Sequence, residues 1–299
     1  MNHPLLRLAT TLIVLGACRP PATDLPACTG LVSSERAVES DTRMLPPAAW
    51  FSLLVRDIRR PTLTPPPEPR ECSGHKIAAR PPGPETEPLP PLPPRPLVES
   101  DLTFAPGPDG HMLVWARVEH FADGTARGPV ALVRWVARGI EVRGVGTLWA
   151  PTRRVRLRLE QLGEVQLLVA DSERCASEEP HSCARELQLL TLVGQRFVQV
   201  DLHEEGVDGV DAPARVATFE RKDTKMDDGW IRRADVSRHV QIRDARVAIA
   251  EELRVRDCDP SASPELCRER LRVREERPLT WKDGRFSAPA SAWARVAGP

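Results

Sequence analysis

The chain has 299 residues, with 42 basic and 42 acidic side chains, so its formal net charge is zero. This balance disfavours a nucleic-acid-binding protein, which usually carries a basic patch, and no nucleic-acid partner is expected. Tyrosine is absent and aromatic residues make up 4% of the chain, so the core of any folded domain must be built mainly from valine, leucine and isoleucine.

Residues 1–17 have the pattern of a secretion signal. Arg7 supplies a short positive start. The apolar run at residues 8–15 is too short to span a bilayer, which needs about 20 residues, but it suits a signal peptide. The sequence L-G-A-C that follows, ending at Cys18, resembles the lipobox of bacterial lipoproteins.

The lipobox resemblance implies a processing site and an anchor. In that family the cysteine thiol receives a diacylglyceryl group, the signal is cleaved before that cysteine, and the new amino group is acylated. Carried over, cleavage falls between Ala17 and Cys18, and Cys18 carries the lipid, palmitate included. Several acyl chains anchor a protein stably. The alternative is an ordinary secretory signal in which Cys18 is incidental.

The residue after the cysteine bears on location. It is Arg19 and not aspartate. By resemblance to the enterobacterial sorting rule, this favours the outer membrane, at its periplasmic face or at the cell surface.

Six cysteines remain when Cys18 is set aside, and an even number in an exported chain predicts disulfides. Two pairs of them flank short polar loops, so each is expected to bond within its loop, which leaves one more pair. The predicted disulfides are Cys175–Cys183, Cys258–Cys267 and Cys28–Cys72. No C-x2-C pair or Cys/His cluster points to zinc, and no metal site or cofactor is predicted.

The region before residue 100 is interpreted as three segments. Residues 18–45 are polar and contain prolines, as expected of a tether. Residues 46–60 predict a short helix that prolines begin and Pro61 ends, with an apolar face that packs on the rest of the protein or, alternatively, contacts a membrane surface. Residues 61–99 are rich in proline, which favours an extended polyproline II linker.

Residues 100–299 predict a mainly β domain of antiparallel hairpins, because short alternating segments are separated by turn residues. Three groups of segments, within 112–145, 165–200 and 247–286, each follow the order strand, polar loop, strand, tight turn, strand. Each tight turn contains glycine, and a large apolar residue that is expected to return to the core follows it. These residues are Ile140, Phe197 and Phe286.

The repeated unit resembles degenerate FG-GAP or VCBS-type repeats of β-propellers, whose hairpins often end in a G-x-F turn. The resemblance covers residues 100–290 and implies a propeller-like array. A β-sandwich is the alternative, because the segment is short for a closed propeller. Asp109-Gly110 retains part of the family's calcium loop, which is too little for a calcium site. Residues 203–245 are acidic and are interpreted as a loop-rich insertion or a weak fourth unit.

No catalytic motif occurs in the sequence, and no catalytic residue is predicted. Paired carboxylates such as Glu251-Glu252 and Glu204-Glu205 are interpreted as hydrated surface. One of them would suit general acid–base catalysis if it lay in an apolar pocket. Six tryptophans of the β region are expected to fill the core, with a sugar- or protein-binding platform as the alternative.

The sequence therefore predicts a lipid-anchored protein of the cell envelope with a binding or structural role. Its expected partners are the membrane, through the anchor, and an envelope protein or glycan. An envelope glycan hydrolase that uses paired carboxylates and a subunit of an envelope assembly are the alternatives.

Overall fold

The structure is a computed structural model that describes residues 27–31, 45–78, 90–137, 139–175, 183–205, 212–243, 246–262 and 266–297. The fold is mainly β, with 66% strand and 9% helix, which confirms the predicted fold class. The strands form an eleven-stranded sheet, a seven-stranded sheet and a two-stranded ribbon, and the two large sheets are called the first and the second sheet below.

The described residues contain two α-helices and twenty strands. The helices are α1 (Pro47–Leu54) and α2 (Ala292–Ala297). The strands are β1 (Cys28–Leu31), β2 (Val55–Arg56), β3 (Arg70–Glu71), β4 (Leu102–Pro106), β5 (His111–Ala116), β6 (Glu119–His120), β7 (Thr125–Val136), β8 (Gly139–Pro151), β9 (Arg153–Leu162), β10 (Val165–Cys175), β11 (Cys183–Val193), β12 (Arg196–Gln199), β13 (Asp201–Glu205), β14 (Ala212–Pro213), β15 (Arg215–Ala217), β16 (Phe219–Lys225), β17 (Ile231–Arg243), β18 (Arg246–Asp259), β19 (Leu266–Lys282) and β20 (Arg285–Pro289).

The first sheet follows the order β4-β5-β7-β8-β12-β11-β10-β9, with β1, β6 and β15 pairing at its margins. Its two end strands, β4 and β9, come close to each other, so the sheet is nearly closed and barrel-like. Its strand pairs are antiparallel apart from β8 and β12, which are parallel. Gly146 permits this approach, because a Cβ atom there would lie 2.1 Å from the carbonyl oxygen of Phe197.

Apolar side chains cover both faces of β5, which explains its unbroken apolar sequence. Leu113 and Trp115 point to the inside of the first sheet and pack on residues of β10, β11 and β12. Val114 and Ala116 alternate with them and point outward into a second core. A strand buried on both faces must be apolar at successive positions, and it cannot show the simple alternation of a half-buried strand.

The outward core over β5, β7 and β8 is completed by the N-terminal part of the chain. Helix α1 buries Trp50, Phe51 and Leu54 there. Each such side chain contributes about 2–3 kcal/mol by leaving water. Ile77 and Leu97, from the segment interpreted as a linker, are buried in the same core. The described part of the proline-rich segment thus supplies core residues at these two positions.

Helix α1 begins where the sequence predicted but ends earlier than residue 60. Pro47 lies in its first turn, where the missing N–H costs no hydrogen bond. Val55 is extended, with φ of −116°, and starts β2. Asp57 then takes a positive φ of 57°, which is incompatible with a continuing helix.

The second sheet follows the order β14-β13-β20-β19-β18-β17-β16 and forms a curled half-barrel. The chain passes into it from the first sheet twice, at Val200 between β12 and β13 and at Thr218 between β15 and β16. Thr218 bonds to both sheets. Its N–H donates to the carbonyl oxygen of Arg185 at 2.8 Å, and its carbonyl oxygen accepts from the N–H of Arg238 at 2.7 Å.

One face of the second sheet packs on the outer face of β10 and β11. Val247, Ile249 and Phe286 meet Leu167 and Leu189 in this shared core. The arrangement of one sheet on another is closer to the sandwich alternative than to an array of propeller blades.

The predicted tight turns use glycine as expected. Gly194 between β11 and β12 has a φ of 60°. Asp283 and Gly284 between β19 and β20 have φ values of 52° and 80°, the two positive angles that a type I′ hairpin requires. The apolar residues after the three turns, Ile140, Phe197 and Phe286, are all buried, as predicted. That the three groups are copies of one unit stays a prediction.

Residues 203–245 are richer in strands than the sequence indicated. They include β14, β15, β16 and the thirteen-residue strand β17. Arg232 and Arg238 interrupt the apolar positions of β17, which hid its period-2 pattern.

Two of the three predicted disulfides are present, Cys28–Cys72 and Cys258–Cys267. The first joins the segment after β3 to β1, which pairs with β8, so it fastens the N-terminal covering to the first sheet. The backbone places Cys175 opposite Cys183 in the β10–β11 ladder, but their side chains lie outside the described part of the chain. The third disulfide therefore stays a prediction.

Asp101 fixes the end of the proline-rich segment to the first sheet. Its buried carboxylate accepts hydrogen bonds from the Arg95 guanidinium at 2.8 and 2.6 Å and from the N–H of Val98 at 2.9 Å. His120 Nε2 lies 3.3 Å from it. Burial alone would raise the pKa of Asp101, but hydrogen bonds from His120, Arg95 and Val98 outweigh burial and lower that pKa well below its ordinary value.

We expect the double variant Cys28→Ser/Cys72→Ser to lose about 4 kcal/mol of unfolding free energy, because the disulfide closes a loop with a sequence separation of 44. The Cys258→Ser/Cys267→Ser variant, whose loop has a separation of 9, is the matched control and should lose about 3 kcal/mol. Urea unfolding followed by circular dichroism measures both. A larger loss in the control would contradict the role given to Cys28–Cys72.

We expect Asp101 to make stability sensitive to acid. A carboxyl whose folded pKa is lowered stabilises the fold above its unfolded pKa of about 3.9, and this contribution is lost as pH falls through the folded pKa. Asp101→Asn should cost about 2 kcal/mol at pH 7 and should flatten the decline of stability below about pH 4. Urea unfolding between pH 7 and pH 2 tests this, and an unchanged acid decline in the variant would refute it.

Candidate functional site

The three long strands β17, β18 and β19 present two chemically different faces. Their register places alternate residues on two opposite faces, an inner face and an outer face. The inner face packs on β10 and β11. Val236, Leu253 and Val255 belong to the inner face and are buried. The outer face carries mostly charged side chains, and it is called the arginine face below.

A buried ion cluster interrupts the inner face. Glu251 is 3% exposed, and its carboxylate accepts hydrogen bonds from Arg238 Nε at 2.7 Å and from the Ser291 hydroxyl, which lies 2.7 and 2.9 Å from the two oxygens. Arg277 Nη2 lies 3.2 Å from the same carboxylate. Charges this deeply buried need such partners to offset lost hydration. Both carboxylate oxygens of Glu251 are thus occupied by neighbours within the protein.

The two arginines of this cluster extend it to other elements. Arg238 donates to the carbonyl oxygen of Ala217 at 3.0 Å and also bonds the Glu220 carboxylate. Burial would lower the pKa of Arg238, but hydrogen bonding and charge from Glu220 and Glu251 outweigh burial and raise it. Arg277 donates to Glu204 Oε1 at 2.8 Å. The cluster therefore ties β13, β16, β17, β18 and β19 together.

The same cluster holds the C-terminal segment. Arg277 Nη1 donates to the carbonyl oxygen of Pro289 at 2.7 Å, and Ser291 donates to Glu251. Glu275 accepts from the N–H of Ala292 at 2.9 Å at the start of α2. Helix α2 then covers the far end of the inner face, where Ala292 is buried.

The arginine face carries more basic than acidic side chains. The register of β16 to β19 places on it the basic residues Arg221, Lys225, Arg233, Arg243, Arg246, Arg254, Arg256, Arg272 and Arg274, and the acidic residues Asp223, Asp235, Glu252, Glu269 and Glu276. Because the whole chain has no net charge, this excess is a local property of one face.

Single carboxylates on this face are shared by several arginines. Glu252 accepts from Arg254 Nε at 2.7 Å and from Arg272 Nε at 2.8 Å, and Arg274 Nε lies 3.2 Å away. Hydrogen bonds from Arg254 and Arg272 are the main causes that lower the pKa of Glu252 to about 2. A guanidinium has five N–H donors, so arginines that share one carboxylate keep donors for a further anion.

Asp235 is a second shared carboxylate, and it lies two positions along the β17–β18 ladder from Glu252. Asp235 accepts from Arg221 Nε at 2.6 Å and also bonds Arg256. Burial would raise the pKa of Asp235, but these two guanidinium groups outweigh burial and lower it.

A shallow depression lies on the arginine face near the β17–β18 turn. Its volume is about 370 Å³, and it is lined by Gln241, Arg243, Arg246, Ala248 and Glu276. Ala248 is 8% exposed and has the shortest side chain of the lining residues, so its position is called the floor of the depression. Arg243 and Arg246 are direct partners across the hairpin, and both are exposed. The described residues give neither guanidinium an ion-pair partner, and the adjacent Asp244 lies outside those residues.

A serine, a histidine and a glutamate also meet in the N-terminal covering. Ser73 Oγ lies 3.0 Å from His75 Nδ1 and donates to Glu71 Oε1 at 3.2 Å. Glu71 Oε1 is itself 3.6 Å from the same nitrogen, His75 Nδ1. A catalytic triad needs the nucleophile and the carboxylate on opposite ring nitrogens, so this cluster lacks that geometry. The buried Glu71 instead pairs with Arg196 of β12, which fastens β3 to the first sheet.

The predicted site residues fall partly outside the described chain. The cleavage and lipidation residues Ala17 and Cys18 lie there. The pair Glu251-Glu252, interpreted as hydrated surface, is divided between two faces, since Glu251 is buried and Glu252 belongs to the arginine face. Sequence reasoning treated the two as equivalent, although adjacent residues of a strand point to opposite faces.

The tryptophans of the β region do not form one platform. Four of them pack in four different cores: Trp115, Trp135, Trp281 and Trp293. Trp149 is 5% exposed and stacks on Phe121 with ring centroids 4.2 Å apart. Core filling, the favoured interpretation, therefore accounts for these five.

Within the described ranges, no group of three or more histidine, cysteine or acidic residues is arranged to hold a metal ion. In the same ranges, no helix has both the length and the apolar character to cross a membrane. Comparisons with protein families, with curated proteins and with solved structures find no match to this chain.

Sequence reasoning predicted alternating strands within residues 247–286 but missed the depression. Arg243 and Arg246 come together only through the register of β17 and β18, and Glu276 of β19 lines the same depression. One sequence signal could have indicated this site. Arg243 and Arg246 flank a two-residue gap between strand-like segments, and a hairpin formed there places the two like charges opposite each other.

We expect the two adjacent glutamates to differ sharply when neutralised. Glu251→Gln leaves two buried arginines short of a counter-charge and should lower the unfolding free energy by about 3 kcal/mol. Glu252→Gln is the matched control and should change it little, because its arginine partners stay in water. Urea unfolding of both variants at pH 7 measures the difference. Equal losses would contradict the assignment of the two faces.

Proposed function

We propose that this protein is a lipid-anchored component of the cell envelope whose β domain binds another envelope component. The anchor is Cys18, acylated after removal of residues 1–17, and the location is the outer membrane. The β domain is the binding part, and the arginine face is its binding surface.

The observation that carries the envelope location is the state of the cysteines. Four of the six cysteines other than Cys18 form disulfides, Cys28–Cys72 and Cys258–Cys267. Disulfides persist in oxidising compartments such as the bacterial periplasm and cell surface. The Cα pairing of Cys175 with Cys183 supports a third. Cys18 is then the one cysteine left over, and it stands in the lipobox sequence.

The geometry favours binding over the alternative of a glycan hydrolase. A glycosidase needs two carboxyl groups about 5–9.5 Å apart in a cleft that admits the substrate. Glu251 is among the most deeply buried carboxylates of the second sheet, but its Oε2 is bonded to Arg238 and its Oε1 to Ser291. The arginine face instead offers exposed cations beside a shallow depression, which suits recognition of a negatively charged partner.

The alternative of a subunit in an envelope assembly receives less support. In the part of the chain that the structure describes, exposed large apolar residues belong to different segments, such as Leu92 before β4, Val193 in β11, Phe219 in β16 and Leu266 in β19. An assembly interface is expected to gather such residues into one patch.

We expect cells that express the full chain to incorporate labelled palmitate into it, and the Cys18→Ala variant to incorporate none. Cys258→Ala is the matched control, because it removes a cysteine of the β domain and leaves the lipobox intact. Its labelling should equal that of the unaltered chain. Palmitate labelling followed by immunoprecipitation measures all three, and label in the Cys18→Ala chain would refute the anchor.

A further inference from the structure

We propose that the arginine face binds an acidic polysaccharide, with the depression between Arg243, Arg246 and Glu276 holding one of its sugar units. The inference rests on the binding role proposed above, but it does not depend on the lipid anchor. It names the chemical class of the ligand, a chain of sugars that bears carboxylate groups.

The cations at the β17–β18 turn favour a bound anion. Arg243 and Arg246 face each other directly across the hairpin, and like charges in this position destabilise a sheet. An anion between the two guanidinium groups removes that repulsion and gains hydrogen bonds. The planar guanidinium matches a carboxylate with two parallel hydrogen bonds, which a point charge such as ammonium does not provide.

The uncharged and acidic residues of the depression select for hydroxyl groups. Gln241 both donates and accepts hydrogen bonds, and the Glu276 carboxylate only accepts them. Glu276 would repel a ligand made of negative groups alone, whereas it accepts from a sugar hydroxyl. A ligand that carries both carboxylates and hydroxyls satisfies all four polar residues of the depression, and an acidic sugar has this composition.

The size of the depression agrees with this class of ligand. Its volume of about 370 Å³ lies at the small end of the range of about 300–1,000 Å³ found for ligand sites. The Ala248 floor lets a ring approach the sheet between the flanking side chains. One sugar unit fits the depression, and the rest of a chain must lie along the face.

The second group of arginines indicates a polymer. Glu252 and the arginines that share it lie six residues from Arg246 along β18, which corresponds to about 20 Å. Arg254, Arg272 and Arg274 retain donors there. A ligand that reaches both groups must be several sugars long, and contact at two places raises its avidity without new contacts at either.

Single-stranded nucleic acid is a poorer fit to the same face. Such ligands are held by aromatic side chains on which the bases stack. In the described part of β16 to β19, Phe219 at the sheet edge is the aromatic residue other than histidine that the register assigns to the outer face.

The test is a binding titration of the full chain, purified in detergent, by biolayer interferometry at low salt. The probes are polygalacturonate, neutral dextran and single-stranded DNA of similar length, with inorganic phosphate as a competitor. We expect binding to polygalacturonate that salt weakens, at least about tenfold weaker binding to DNA, none to dextran, and no displacement by millimolar phosphate.

The variants locate the site. Arg243→Gln/Arg246→Gln should weaken polygalacturonate binding at least about tenfold. Arg243→Lys/Arg246→Lys, which keeps the charge, should give an intermediate loss. Arg56→Gln/Arg156→Gln removes two exposed arginines elsewhere and is the matched control that should bind normally. Thermal melting of each variant confirms that it is folded.

Three results would overturn the inference: no binding of polygalacturonate, equal binding of DNA and polygalacturonate, or equal losses in the site and control variants. Displacement by phosphate alone would also do so, because it would indicate a simple anion site. Cys18→Ala should bind as tightly as the unaltered chain. Failure of this inference is therefore distinct from failure of the anchor, which palmitate labelling reports.

Discussion

A buried carboxylate, Glu251, is the interaction on which the second half of the molecule depends. Taking a charge out of water costs several kcal/mol, and Arg238, Arg277 and Ser291 offset that cost. These partners come from β17, from β19 and from the segment before α2. Because each of these partners must reach Glu251, the strands and the C-terminal segment can pack in only one arrangement. A fully apolar core would tolerate several packing arrangements.

This constraint decides which face of β17 to β19 meets solvent. A strand with Arg238 or Glu251 at an inner position cannot slip by one residue, because the slip would place these charges on the outer face and bury the arginines that now face water. The cluster therefore fixes the outer position of Arg243, Arg246 and the residues around Glu252. In the first sheet, the Cys28–Cys72 disulfide and the Glu71–Arg196 pair have the comparable task of holding the N-terminal covering in place.

Much of the fold could be predicted from the sequence, because strands, tight turns and short disulfide loops depend on residues that are close together in the chain. Alternating apolar residues predicted the strands, glycine at tight turns predicted the hairpin at Asp283-Gly284, and loop spacing predicted the Cys258–Cys267 disulfide. Strand β17 was missed, since Arg238 stands at a core position that pattern reading assigns to an apolar residue. The closing of the first sheet was also out of reach, as it depends on β12 pairing in parallel with β8 far away in sequence.

The candidate site was harder to predict than the fold, because it depends on how neighbouring strands pair. Each arginine of the arginine face looks like an ordinary solvent-facing residue of a half-buried strand. Their significance arises from cross-strand register, which places Arg243 against Arg246 and brings three arginines to Glu252. No local signal distinguishes a shared carboxylate from a simple ion pair.

The most direct test of this account is arginine footprinting. The full chain is treated with phenylglyoxal, with and without polygalacturonate, and the modified peptides are quantified by mass spectrometry. The account predicts that the polymer protects Arg243, Arg246 and Arg274, while Arg156 on β9 is modified at the same rate in both samples. Equal modification of Arg243 and Arg246 with and without the polymer, or protection that is the same at Arg156, would contradict it.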